Sequence, residues 1–150
     1  MKAVLHTDGG ARGNPGPAGI GVVLTDEHGD AIGEIARGIG ETTNNVAEYA
    51  AVIAGLELAL ARGVTDVSIA VDSELVVNQL RGAWKIKNER LRSLAVKARS
   101  LMNRFDSASI KHVPREENSG ADRLANQGMD AAMLDVEQDA ESPHQSSFLD

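Results

Sequence analysis

The period of the apolar residues changes once along this chain, near residue 45, and that change limits the folds open to it. Before it, short apolar stretches bounded by Gly, Pro and charged residues read as strands. Residues 2–7 alternate loosely as a first strand, and Ile20–Thr25 is a second. Glu27-His28-Gly29-Asp30 makes a hairpin turn into a third, Ala31–Arg37. Between the first two lies a stretch rich in glycine and proline, Gly9 to Gly19, which reads as a turn. Three strands in succession with tight connections predict an antiparallel meander.

After residue 45 the period becomes helical. Val46, Ala50, Ile53, Leu56 and Leu60 share one face of a helix over 45–62, with Asn45 as N-cap, Glu48 completing a capping box and Gly63 as the stop. Val67–Val71 is a short apolar strand flanked by helices, hence buried and parallel to a neighbour. Glu74–Leu80 is a short helix, Arg81–Lys87 a loop and Asn88–Arg104 a basic amphipathic helix. Ser107–Val113 is a fifth strand, Pro114–Ser119 a polar loop and Gly120–Leu134 a last helix. That order predicts an α/β fold, a mixed sheet with helices packed on it.

One domain is expected from 150 residues, occupying 1–134, with 135–150 an acidic disordered tail or linker containing Pro143. Aromatics are only 3%, so the core must be built from Val, Ile, Leu and Ala. Cysteine is absent, which excludes disulfides and thiolate metal sites. The first ten residues hold an apolar run of three, too short for a signal peptide, and no run approaches the roughly 18 residues of a membrane span. The expected location is the cytoplasm.

Net charge is −7, yet its distribution matters more than its sum. Residues 130–150 carry six acids and no Lys or Arg, leaving sixteen acids against fifteen bases in 1–129. Residues 81–104 hold eight bases and one acid, Glu89. Such a surplus suits a polyanion, although on charge alone a solvated helix face accounts for it as well.

Two acids stand just past strands, Asp8 after the first and Asp72 after the fourth, and strand ends are where open α/β sheets assemble sites. Were those strands parallel neighbours, the two would lie side by side. Glu48 and Asp122, each early in a helix, could face the same edge. Four gathered carboxylates resist ionisation unless divalent cations neutralise them, and an all-oxygen set suits Mg²⁺ better than zinc. Taken singly, each acid also has a structural reading. Glu48 would complete a capping box, Asp72 would cap a helix, Asp122 would favour a helix N-terminus and Asp8 would start a turn. Spacing alone does not choose between them.

Local sequence does. TDGGARGNPGPAGIGVVL at 7–24, TTNNVAEYAAVIAGLELA at 42–59, VDSELVVNQL at 71–80 and REENSGADRLAN at 115–126 together resemble type I ribonuclease H, in the family's order and over roughly residues 1–131. The match is to the short archaeal-like and actinobacterial-like branch that lacks a basic protrusion. The resemblance implies a ribonuclease H-like fold, a five-stranded mixed sheet of three antiparallel and then parallel strands flanked by helices. It implies an endonuclease that cuts the RNA strand of RNA–DNA hybrids with two Mg²⁺ ions, Mn²⁺ being a possible substitute. Asp8 would bridge both ions, Glu48 and Asp72 would hold one, and Asp122 the other. Gly9, Gly10, Asn14, Thr43 and Asn44 would meet the hybrid's sugars, minor groove and DNA phosphate. Trp84, Lys85, Lys87 and Arg90 would grip it further along, and Arg115 and Asn118 would do so from the loop before Asp122. That loop lacks the histidine of many bacterial relatives, a function left to Arg115 or Glu116, while His112 falls in the fifth strand and is not assigned a catalytic role. A monomer is expected, with no membrane partner. A fused C-terminal domain beyond residue 150 is the further possibility that the resemblance raises.

Overall fold

Strand pairing is what brings the distant acids within reach of one another. In the computed structural model, which describes residues 1–141 and side chains through Asp135, ten elements follow in order. They are β1 (Lys2–Ala11), β2 (Gly16–Asp26), β3 (Ala31–Thr42), α1 (Asn44–Ala61), β4 (Asp66–Val71), α2 (Glu74–Leu80), α3 (Glu89–Met102), β5 (Ser107–His112), a 3₁₀ turn (Arg115–Glu117) and α4 (Ser119–Glu141). The sheet order is β3-β2-β1-β4-β5. β1–β2 and β2–β3 are antiparallel, whereas β1–β4 and β4–β5 are parallel, as the sequence predicts.

The glycine-rich stretch is where the strand expectation needs correction. β1 runs on through Asp8, Gly9 and Gly10 to Ala11, and β2 begins at Gly16. Only residues 12–15 turn, closed by the Arg12 amide donating to the Pro17 carbonyl at 2.9 Å. Gly and Pro are the residues of turns, but Gly9 and Gly19 at the two ends of this stretch serve packing, as do Gly21 and Gly128 beyond it. A Cβ at Gly19 would collide with the Met129 amide, one at Gly21 with the Ala121 carbonyl, and one at Gly128 with the Arg37 carbonyl. The backbone of α4 therefore lies directly on the glycines of β2 and β3, closer than any side chain would permit.

On the other face, Leu5, Val22, Leu24, Val52, Leu56 and Ile69 form the core with α1, which is buried along most of its length, and with α2 and α3 outside it. The Tyr49 hydroxyl donates to Gln79 Oε1 at 2.7 Å, so the largest buried side chain has its polar end satisfied. The cap of α1 is Thr43, whose hydroxyl accepts from the Val46 amide, and not Asn45, which is exposed within the first turn. α4 continues to Glu141, so residues 135–141 of the expected tail are helical. The rest of that tail, 142–150, lies outside the described residues. No helix among the described residues is long and apolar enough to cross a membrane.

Candidate active site

Asp8 and Asp72 are neighbours because β1 and β4 are parallel and in register, with Thr7 opposite Val71, so each acid follows the last bridged residue of that pairing. Glu48 reaches the same place through Gly9. A Cβ on Gly9 would strike the Ala47 carbonyl and the Glu48 amide, so the bare backbone after Asp8 is what lets α1 settle against β1. Asp122 arrives on the first turn of α4, which the glycines of β2 and β3 let down onto the sheet.

The result is an open cleft of about 350 Å³ lined by all four acids together with Gly10, Asn44, Arg115 and Asn126. A larger depression, about 460 Å³, lies at the other end of the parallel strands, where Lys2, Asp66 and Ser107 begin them. The carboxylate cleft lies at the carboxyl ends of β1 and β4, where sheets of this kind carry their chemistry, and it alone gathers the acids.

Crowding shows in the protonation of two of them. Burial, reinforced by Asp72, a hydrogen bond shared with Asp122 and the charge of Glu48, raises Asp8 from an ordinary aspartate's 3.8 to about 8. Burial and then Asp72 raise Glu48 to about 7, against the hydroxyl of Ser73, whose hydrogen bond lowers it. Ser73 also caps α2 by accepting from the Val76 amide. Sequence reasoning passed over Ser73, although a serine directly after an acid and before a helix was a visible signal. Asn126 was passed over too. It stands one helical turn after Asp122 and donates from Nδ2 to the Asp122 carbonyl at 2.9 Å.

The structural readings of the acids now part. With Thr43 as cap, Glu48 stands too far into α1 to complete a capping box; Ser73, not Asp72, caps α2; and Asp8 sits in a strand rather than a turn. Only Asp122 keeps its helix-terminus role beside any other.

The remaining candidates fall into three groups. Gly10, Asn44 and Arg115 line the cleft, with Arg115 facing Asp122 at 3.5 Å. Asn44 Oδ1 accepts from the Ala11 amide at 2.7 Å, and the Asn44 amide donates to Asn14 Oδ1 at 3.1 Å, so these two asparagines lock the turn to the start of α1. Arg12 adds an ion pair to Asp130 of α4. Trp84, Lys85, Lys87 and Arg90 are exposed and outside the cleft lining. Gly9 is packed against the backbone of α1 and also lines the cleft. One expectation is corrected. Asn118 is 1% exposed and absent from the cleft wall, because its side chain turns inward to the backbone of β1.

Three of the eight bases in 81–104 are held to backbone carbonyls. Arg81 donates to the Ile110 carbonyl at 2.6 and 3.0 Å, Arg92 to the carbonyls of Ile86 and Lys87 at 3.2 Å, and Arg99 to that of Gln79 at 2.5 Å. His112 closes β5, exposed.

Comparison with known proteins gives a consistent group. A family described as "Reverse transcriptase-like" matches residues 6–128. The bifunctional protein Rv2228c of Mycobacterium tuberculosis is 48% identical over 142 residues, 94% of this chain but 39% of its own length. Ribonuclease HI of Halobacterium salinarum is 49% identical over 85% of this chain and 64% of its own. A ribonuclease H of Rhodopseudomonas palustris is 37% identical over 84% of both. This chain thus spans less than two thirds of its first two relatives. Among solved structures, the N-terminal ribonuclease H domain of Rv2228c superposes with a TM-score of 0.88 at 45% identity, covering 91% of this chain and 99% of that domain. LC11-RNase H1, solved in complex with an RNA/DNA hybrid, gives 0.82 at 44% identity over 87% and 99%.

Proposed function

The chain belongs to the ribonuclease H family, and on that premise we propose that it is an endonuclease hydrolysing the RNA strand of RNA–DNA hybrids to 5′-phosphate and 3′-hydroxyl ends. The observation that carries this reading is the meeting of Asp8, Glu48, Asp72 and Asp122 in one open cleft. The hybrid bound by LC11-RNase H1 supports the substrate.

The cleft fits divalent cations by its donor chemistry. Its charged ligands are carboxylates alone, suited to Mg²⁺ or Mn²⁺ rather than zinc, and burial with neighbouring acids raises the pKa of Asp8 and Glu48, a cost that bound cations would relieve. Asp8, central to the charge network, would serve both of two ions, Glu48 and Asp72 one, and Asp122 the other. Bound there, the cations supply positive charge at the scissile phosphate and make water acidic enough to attack at neutral pH.

The chain's own residues then position the substrate. Gly10 leaves the cleft floor low, while Asn14 and Asn44 hold each other at its edge, where the hybrid's minor groove would pass. Thr43 at the start of α1 suits a DNA phosphate. Glu48, steadied by Ser73, stands where a ribose 2′-hydroxyl would distinguish RNA from DNA. Water adds to phosphorus and gives up a proton to solvent, the bond to the 3′ oxygen breaks, and that oxygen takes a proton from solvent to leave as a hydroxyl. Arg115, 3.5 Å from Asp122, or Glu116 beside it would take the part of the loop histidine that the resemblance finds missing here. The longer mycobacterial relative supports a further domain beyond residue 150, and cytoplasmic placement and a monomeric state belong to the same reading.

The test is cleavage of an end-labelled hybrid with Mg²⁺ or Mn²⁺, against duplex DNA, duplex RNA and branched DNA. Cutting confined to the RNA of the hybrid, abolished by Asp72→Asn with hybrid binding retained, is the expected result. Preference for branched DNA, or full cleavage by Asp72→Asn, would reject it.

A further inference from the structure

Asn118 lies between the 3₁₀ turn and α4, almost wholly enclosed. Its Nδ2 donates to the Thr7 carbonyl at 2.9 Å, across 111 residues of sequence. Its main-chain carbonyl accepts from the Asp122 amide at 3.0 Å, and its own amide donates to the Arg115 carbonyl at 2.9 Å. Thr7 immediately precedes Asp8. A single side chain therefore joins the backbone carrying Asp8 to the loop and helix turn carrying Asp122 and Arg115.

Stability alone is a poor reason for an asparagine here. Its Oδ1 is buried with no partner among the described residues, as is the Oγ1 of Thr7, the residue before Asp8. A polar group left so is destabilising, and an apolar side chain of similar size would fill the space without that cost. What an apolar residue would not supply is the directed bond to β1. The glycine groove under α4 sets how close that helix comes to the sheet, and the Arg12–Asp130 pair resists sliding along it near the middle of the helix. The Asn118–Thr7 bond opposes sliding at the end where Asp122 stands.

We propose that Asn118 is a positioning residue, fixing the separation of Asp122 from Asp8 and hence the geometry in which the carboxylates receive cations and scissile phosphate. This rests on the reading of Asp8 and Asp122 as acids of the site. Asn118 touches no substrate, so its removal acts on turnover and on cation affinity, not on hybrid affinity.

The experiment compares wild type, Asn118→Ser and Asn118→Asp, with Asp122→Asn as control, all well below their melting temperatures. Hybrid cleavage is measured per folded molecule, Mn²⁺ binding by calorimetry without nucleic acid, and exchange of the Asp122 amide by NMR. Loss of an outer partner of a metal ligand typically costs about 10–100-fold. The expected result is a fall of kcat by about that factor, KM for hybrid within about twofold, Mn²⁺ affinity down about tenfold and faster exchange at Asp122. Unchanged kcat and Mn²⁺ affinity in both folded variants, with Asp122→Asn inactive, would overturn the positioning role alone. A rise in KM at constant kcat would make Asn118 a substrate contact and overturn it too, as would failure of both variants to fold, which marks a structural residue. Full cleavage by Asp122→Asn would remove the reading of the site and this role with it.

Discussion

Replacing Asp8 by Asn is expected to make the metal-free protein more stable while abolishing its activity. Asn matches the shape of Asp and removes the charge that burial and three neighbouring acids oppose. With its pKa raised from 3.8 to about 8, folded Asp8 keeps a proton that the unfolded chain releases. The contribution to stability is therefore complete below the unfolded pKa and is lost as pH rises through about 8. At about 1.4 kcal/mol per pH unit the whole interval would amount to some 5–6 kcal/mol, an upper bound for an open cleft. Water at the cleft and protons taken up by neighbouring carboxyls reduce it to about 2–3 kcal/mol. For a chain of this length that is a rise in Tm of about 5–10 °C for Asp8→Asn in EDTA near pH 8.5. Near pH 5 the gain is smaller, because the folded wild type keeps its proton and only the cost of taking that proton up from a mostly ionised unfolded chain remains; it disappears below the unfolded pKa of 3.8. Magnesium should reverse the order, since an ion bound only to the folded wild type adds stability that the variant lacks. Thermal melts at both pH values, with EDTA and with Mg²⁺, are the assay. Equal stability of the two proteins at pH 8.5 in EDTA, or the same gain at pH 5, would refute the claim that the acids repel one another across the cleft.

Ser73→Ala should cost about 1 kcal/mol through the lost cap of α2 and move the acid limb of the pH–rate profile upward, because Glu48 loses the bond that lowers its pKa. Gly9→Ala should destabilise by about 3 kcal/mol or more in denaturant titrations, since the added methyl meets the backbone of α1, which has no rotamer with which to move aside. Asp130→Asn should raise KM for hybrid about two- to threefold at unchanged kcat by releasing Arg12 and the turn it holds, a small effect because the pair is solvent-exposed. Joint replacement of Lys85, Lys87 and Arg90 by Ala should weaken hybrid binding and reduce the slope of log K against log salt by about 2–3, whereas Arg99→Ala, whose guanidinium is bound to the Gln79 carbonyl, should lower Tm and leave that slope alone.

Hydrophobic period, caps and stop residues act over a few neighbours, so they can be read along the chain. They place the five strands and four helices in their observed order and imply the parallel course of β4 that sets Asp72 beside Asp8. The sequence alone also supplies the four acids, the family pattern around them and the absence of thiolate ligands. What it could not settle are contacts between residues far apart. Gly9 through Gly19 look like a turn by composition, yet most of that stretch is strand, because α1 and α4 press their backbones onto it. Asn118 looks like one more polar loop residue, yet it is buried against the carbonyl of Thr7. Three of the eight bases in 81–104 look like a polyanion surface and are bound to carbonyls. In each case residue type is compatible with both roles. The choice is made by which backbone arrives beside the residue once the sheet has closed, and only the folded molecule holds that information.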